Sequence, residues 1–167
     1  MRKLIESKVF LAIILAAFVI GFFHFLSLYI SGPSDLAGYA AEDAWEQKVV
    51  TRVIDGDTVV IEGGHSVRLL GIDADERGYP CYGPAKKRLE ELVLNREVYL
   101  ESDGDDKDRY KRYLRYLILD EENINVKLVR EGLAIAYFYP ENVKYREEIT
   151  AAEKYAIDNN IGCKWSK

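Results

Sequence analysis

Residues 53–76, VIDGDTVVIEGGHSVRLLGIDADE, constrain this chain more than any other stretch. Three short runs of Val, Ile and Leu are separated by Asp55-Gly56-Asp57-Thr58 and by Gly63-Gly64. Runs of that length, bounded by Gly and Asp, specify β-strands, and the Gly-Gly pair specifies a hairpin. The spacing predicts a three-stranded meander over residues 48–72. Polar chemistry collects at its ends: Asp55 and Asp57 follow the first strand, and Asp73, Asp75 and Glu76 leave the third. Arg68 lies within the third strand among apolar neighbours, where an unpaired charge is expensive. Hard cations take carboxylate and carbonyl oxygens, and an arginine fork matches phosphate. The pairing points to phosphodiester chemistry.

Downstream, residues 77–83 (RGYPCYG) read as a loop, and Pro84 suits the first position of a helix with Ala85, Leu89, Leu92 and Val93 on one face. Residues 97–101 form a fourth strand, 102–109 an acidic, solvated hairpin loop, and 113–119 a fifth strand. The acidic run lacks the glycine and terminal glutamate of an EF-hand loop. Asn123 or Asn125 caps a helix through Arg130 that Gly132 closes. A last helix spans about residues 142–159, with Tyr145, Ile149, Ala152 and Ala156 turned inward. No internal repeat is present. This element order is that of an α+β chain: an OB-type, five-stranded β-barrel with three helices.

The N-terminus is a different material. Residues 1–8 carry Arg2, Lys3 and Lys8, and residues 9–30 contain no charged side chain, His24 being neutral. As a helix that run is about 33 Å long, enough to cross a bilayer core. Basic residues precede it, so the rest of the chain is expected outside the cytoplasm. A signal peptide cleaved after Gly38-Tyr39-Ala40 is the competing reading, and the run is longer than an ordinary signal core. Either one exports the remainder. Residues 31–46, rich in Gly, Ser and Ala, form a linker, and residues 47–167 form the domain. Leaving out residues 1–34, the chain carries 20 basic and 27 acidic residues. That balance excludes a broad electrostatic footprint for duplex nucleic acid and leaves room for a local basic site.

The motifs V-I-D-G-D-T, V-R-L-L-G-I-D-A-D-E, Y-G-P-A, D-R-Y-K-R-Y-L, V-R-E-G-L-A and A-Y-F-Y-P occur in that order over the last three quarters of the chain. In this series the chain resembles the staphylococcal nuclease (thermonuclease) family. The resemblance implies calcium-dependent hydrolysis of DNA and RNA, single-stranded or flexible, by a monomeric catalytic domain. It places one calcium ion on Asp57, Asp73 and the backbone carbonyl of Ala74. It makes Glu76 the catalytic carboxylate, Arg68 and Arg112 the phosphate clamp, and Tyr110, Tyr137 and Tyr139 the aromatic border of the nucleotide site. Two positions depart from the family pattern. Asp75 replaces a proline and brings a further negative charge beside the pocket. Lys111 replaces a glycine in a turn that favours φ > 0.

Cys81 and Cys163 are the two cysteines, and in an exported domain a disulfide between them is expected ahead of a redox motif or metal site. A non-catalytic OB-fold module that binds oligonucleotide or protein at the cell surface is the alternative. Loss of catalysis predicts loss of the arginines or the glutamate, and all three are present. A purely structural envelope protein predicts neither calcium nor nucleotide binding.

Overall fold

The hairpin chemistry of Gly63 (φ 84°) and Gly64 (φ 81°), both in the left-handed region that glycine alone adopts cheaply, sets the first register. In the computed structural model, which describes residues 46–166 together with Phe22, β1 (Glu46–Val53), β2 (Thr58–Ile61) and β3 (Ser66–Leu69) form the meander. Val53 faces Val59, and Val59 in turn faces Val67. The chain divides into two compact units, Met1–Ala44 and Trp45–Lys167. Apart from Phe22, the apolar run 9–30 and almost all of the linker lie outside the described residues, although Glu46 already belongs to β1. No helix among the described residues is long and apolar enough to cross a membrane.

The third expected strand breaks in two. Gly71 (φ 76°) turns the chain, and β4 (Ile72–Ala74) leaves the barrel to pair antiparallel with β8 (Ala134–Ala136). A side chain on Gly71 would place its Cβ 2.4 Å from Ile149 Cδ1, so the turn needs glycine for space as well as for φ. β5 (Glu97–Glu101) pairs antiparallel with β1, and β6 (Tyr113–Leu119) with β5. β6 also pairs in parallel with β3, Arg68 facing Leu114. The order β3-β2-β1-β5-β6 therefore closes on itself as a five-stranded barrel, with β7 (Glu122–Asn123) a short extension.

Residues 114–119 of β6 are all buried, because the barrel interior covers one face and helices cover the other. α1 (Tyr82–Val93) begins two residues before Pro84, which occupies the third helical position. Its missing N–H costs nothing there, since first-turn amides have no intrahelical partner. α2 (Ile124–Arg130) is capped by Asn123, whose side chain accepts from the amides of Asn125 and Val126. Asn125 instead turns into the core, accepting from Leu117 N (3.1 Å) and donating to Leu70 O (2.8 Å). α3 (Arg146–Asp158) starts later than the periodicity suggests. Two turns precede it, closed by Asn142 N–H donating to Tyr139 O and Arg146 N–H to Val143 O. Ile149, Ala152 and Ala156 are buried as expected, and Tyr145 packs against the core just ahead of the helix. A one-turn helix, α4 (Gly162–Trp165), follows and was not expected.

Candidate active site

Arg68 lies on β3 with 5% exposure, and every N–H of its terminal nitrogens is engaged. Nη1 donates to the carbonyls of Leu69 (2.6 Å) and Ile72 (2.8 Å), and Nη2 lies 3.1 Å from Asp57 Oδ2 and 2.9 Å from Asp73 Oδ1. The fold builds this locally. The Gly71 turn bends the backbone back so that the carbonyls on either side meet one guanidinium, and β4 carries Asp73 to it. Asp57 is 6% exposed; its Oδ2 also accepts from the Ala74 amide (2.7 Å) and its Oδ1 from Thr58 Oγ1 (3.1 Å). Burial pushes the Asp57 carboxyl up to about 6, against Arg68 and the Ala74 amide, which pull it down. Asp57, Arg68, Asp73 and Ala74 thus converge as one cluster.

Arg112 reaches the same cluster from the other side. Its Nε donates to Asp108 Oδ2 (2.7 Å) and its Nη1 lies 3.4 Å from Thr58 Oγ1. Asp108 Oδ1 accepts from the amides of Tyr110 and Arg112, closing a turn in which Lys111 adopts φ 64°. Lys111 does sit in a glycine-favoured conformation, and the Asp108 bonds hold the turn. Burial works to raise the Asp108 pKa, but the bonds from Arg112 and the turn amides outweigh it and keep the carboxyl below the usual range. Beside Arg112 a cavity of about 440 Å³ is lined by Lys107, Asp108, Tyr110, Tyr137 and Tyr139 among others. Tyr137 and Tyr139 meet edge to face with centroids 5.4 Å apart, and the Arg112 guanidinium lies 5.5 Å from the Tyr110 ring centroid. Tyr110 is 65% exposed and Tyr137 48%, and the Arg109 guanidinium lies 4.7 Å from the Tyr110 ring centroid.

The loop 102–109 is not merely solvated. Asp106 pairs with Arg115 (2.5 Å), Asp108 with Arg112, and Asp103 Oδ2 accepts from the Lys144 amide (2.7 Å). Asp75 is also placed otherwise than expected. Its Oδ2 accepts from the Cys81 amide (2.9 Å) and its Oδ1 pairs with Lys164, so its charge is spent away from the pocket. Its pKa is lowered, the Lys164 and Cys81 bonds overcoming burial. Cys81 and Cys163 form a disulfide with Cα atoms 5.5 Å apart. Glu76, two residues past Ala74, is exposed, and its carboxylate makes no hydrogen bond or ion pair among the described residues.

The donor set suits a hard cation of open coordination. Two carboxylates share one guanidinium, leaving a net negative charge, and one of them is buried and reluctant to ionise. No cluster of three or more His, Cys, Asp or Glu side chains able to enclose a metal occurs among the described residues, so a cation held here would take its other ligands from carbonyl, water or substrate oxygens.

Two site residues escaped the sequence reading. Thr58 joins Asp57 to Arg112, and Asp108 aims Arg112. The i,i+4 spacing of Asp108 and Arg112 is the signal that was available for the second.

The family model described as "Staphylococcal nuclease homologue" matches residues 66–167. Thermonuclease of Staphylococcus intermedius is 39% identical over 165 residues, covering 93% of this chain and 94% of that protein. Thermonuclease of Staphylococcus hyicus is 38% identical over 167 residues, covering 93% and 95%. Endonuclease YncB of Bacillus subtilis (strain 168) is 39% identical over 127 residues, covering 70% of this chain and 60% of that protein. With a family match over most of the domain and relatives aligned nearly end to end, the chain belongs to the staphylococcal nuclease family, as an enzyme of the nuclease class of hydrolases.

Proposed function

We propose that this chain hydrolyses phosphodiester bonds of DNA and RNA in a calcium-dependent reaction, acting on single-stranded or flexible substrate. The observation that carries the reading is the convergence of Arg68 and Arg112 on the Asp57–Asp73 cluster beside an open tyrosine-lined cavity. Asp57, Asp73 and the carbonyl of Ala74 would hold the cation, which when bound supplies charge stabilisation at a phosphate oxygen. Arg68 is fixed in plane by the Leu69 and Ile72 carbonyls, and Nη2 lies at the carboxylate side, where a cation taking Asp57 and Asp73 would release its N–H groups to phosphate. Asp108 holds Arg112 through Nε, which leaves its terminal nitrogens to a second phosphate oxygen. Both guanidiniums gain more from a dianionic pentacoordinate transition state than from a monoanionic ground state. Glu76 takes the proton of the attacking water, a P–O bond forms to that water, and the P–O5′ bond breaks to leave a 3′-phosphate and a 5′-oxygen that takes a proton from water to become a 5′-hydroxyl. Tyr110 and Tyr137 stack on bases without reading them, which suits low sequence selectivity.

The test is cleavage of single-stranded DNA by the full chain in calcium, in chelator, and in Glu76→Gln and Arg112→Ala variants. Losses of roughly 10²–10³-fold in each are expected for removal of one preorganised group. Cleavage that persists in chelator and in both variants refutes the reading, and oligonucleotide binding without cleavage supports a binding module instead. For location, we infer that residues 9–30 anchor the domain outside the cytoplasm, on the strength of the uncharged run and the basic residues before it. A mature N-terminus near Ala41 would show cleavage in place of anchoring.

A further inference from the structure

The loop that carries Glu76 has little of its own to hold it. Residues 76–80 are all exposed, and nothing lies within 4 Å of a Cβ built on Gly78. Its internal bonds are short-range: Tyr79 N–H donates to Glu76 O, and Tyr82 N–H to Tyr79 O. Its two ends, by contrast, are tied to one place. Asp75 at the start uses both carboxylate oxygens, one on the Cys81 amide at the end of the loop and one on Lys164 Nζ in α4. Cys81 is 1% exposed and bonded to Cys163, the residue before Lys164.

The anchor is itself rigid. Lys164 N–H donates to Gly132 O (3.0 Å), and Gly132 and Gly162 let the two backbones meet: a Cβ on Gly132 would lie 1.9 Å from Ile161 O. Glu131, just before Gly132, receives a two-pronged pair from Arg88 of α1 at 2.7 and 2.8 Å. The disulfide alone would suffice as a tether for the C-terminus. The Asp75–Lys164 pair adds something else, because it fixes the residue next to Glu76 with respect to both loop ends.

We propose that Asp75 and Lys164 are positioning residues, which lock the start of the loop to α4 and thereby aim the Glu76 carboxylate. The inference rests on Glu76 being the reacting carboxylate. A misplacement near 1 Å at a reacting group is costly in rate. The pair acts through Glu76 and touches no substrate.

The test uses the full chain with Asp75→Ala, Lys164→Met, Lys164→Arg and the Asp75→Ala/Lys164→Met double variant, each shown folded by circular dichroism at the assay temperature. With single-stranded DNA in calcium, Asp75→Ala and Lys164→Met are expected to lower kcat roughly tenfold, with KM within about twofold of wild type. Lys164→Arg should restore most of the rate, and the double variant should fall no further than the singles. Unchanged kcat in both singles while the wild type cleaves overturns the inference and leaves the proposed function standing. So does a kcat loss that Lys164→Arg fails to rescue. A wild-type chain that does not cleave overturns the proposed function as well.

Discussion

Replacing Gly132 with alanine should detach α4 from the end of α2. Gly132 has φ 64°, and forcing an L-residue with a Cβ into that region costs about 1–2 kcal/mol. The new Cβ would lie 1.9 Å from Ile161 O and 2.6 Å from Ile161 C, both backbone atoms, so no rotamer change relieves the clash. Backbone displacement of this kind adds about 1–3 kcal/mol. Moving the strands of chain apart also weakens the Lys164 N–H to Gly132 O bond, worth about 1 kcal/mol. The sum is a loss of about 3–6 kcal/mol, a fall of about 10–25 °C in melting temperature for a domain this size. Urea and thermal unfolding of residues 45–167, followed by circular dichroism with the disulfide intact, measure it. Gly83→Ala is the matched control: Gly83 lies within α1 and a Cβ there meets nothing within 4 Å. It should be neutral or stabilising by about 0.5–1 kcal/mol. A Gly132→Ala protein within about 1 kcal/mol of wild type would refute the close-approach argument.

Removing the disulfide with Cys81→Ala/Cys163→Ala releases a loop of sequence separation 82 and should lower stability by about 4–5 kcal/mol on the chain-entropy account, read as a shift in urea midpoint against the oxidised wild type. Asn125→Ala strands the buried Leu117 N–H and Leu70 C=O and should lower stability by about 2–4 kcal/mol; Asn125→Asp, which keeps the acceptor alone, should not restore the Leu70 bond. Asp108 has a folded pKa below its ordinary 3.8, so its stabilisation is present above that value and is lost as pH falls through the folded pKa. Asp108→Asn should therefore flatten the acid limb of the stability curve below about pH 4, and an NMR titration of the Asp108 carboxyl should give a value under that of a free aspartate.

The barrel was legible because its strands are short apolar runs punctuated by Gly and Asp, and because closure follows from element order. A cap at Asn123 or Asn125 was readable from spacing, and choosing between them required the tertiary contacts. The break at Gly71 was not readable: the run through Ile72 looks continuous, and the steric reason for the break is Ile149, far along the chain. Asp75 was misjudged for the same reason. Its partner Lys164 is 89 residues away, and a charge whose partner is distant looks unpaired in sequence. Asp106 looked like a solvent-facing loop residue because hairpin geometry, not local pattern, brings Arg115 back to it, whereas Asp108 had a local signal in its spacing to Arg112.

The parallel pairing of β3 with β6 has a consequence for when the site comes into being. Arg68 belongs to β3, and Arg112 immediately precedes β6, so the two guanidiniums arrive on opposite sides of the seam that closes the barrel. Parallel pairings between distant segments form late, after the loop entropy between them has been overcome. A chain that has folded its β1–β2–β3 hairpins holds Asp57 and Arg68 and lacks the second clamp. On the proposed mechanism, competence would then follow closure of the seam, which brings the second guanidinium to the first.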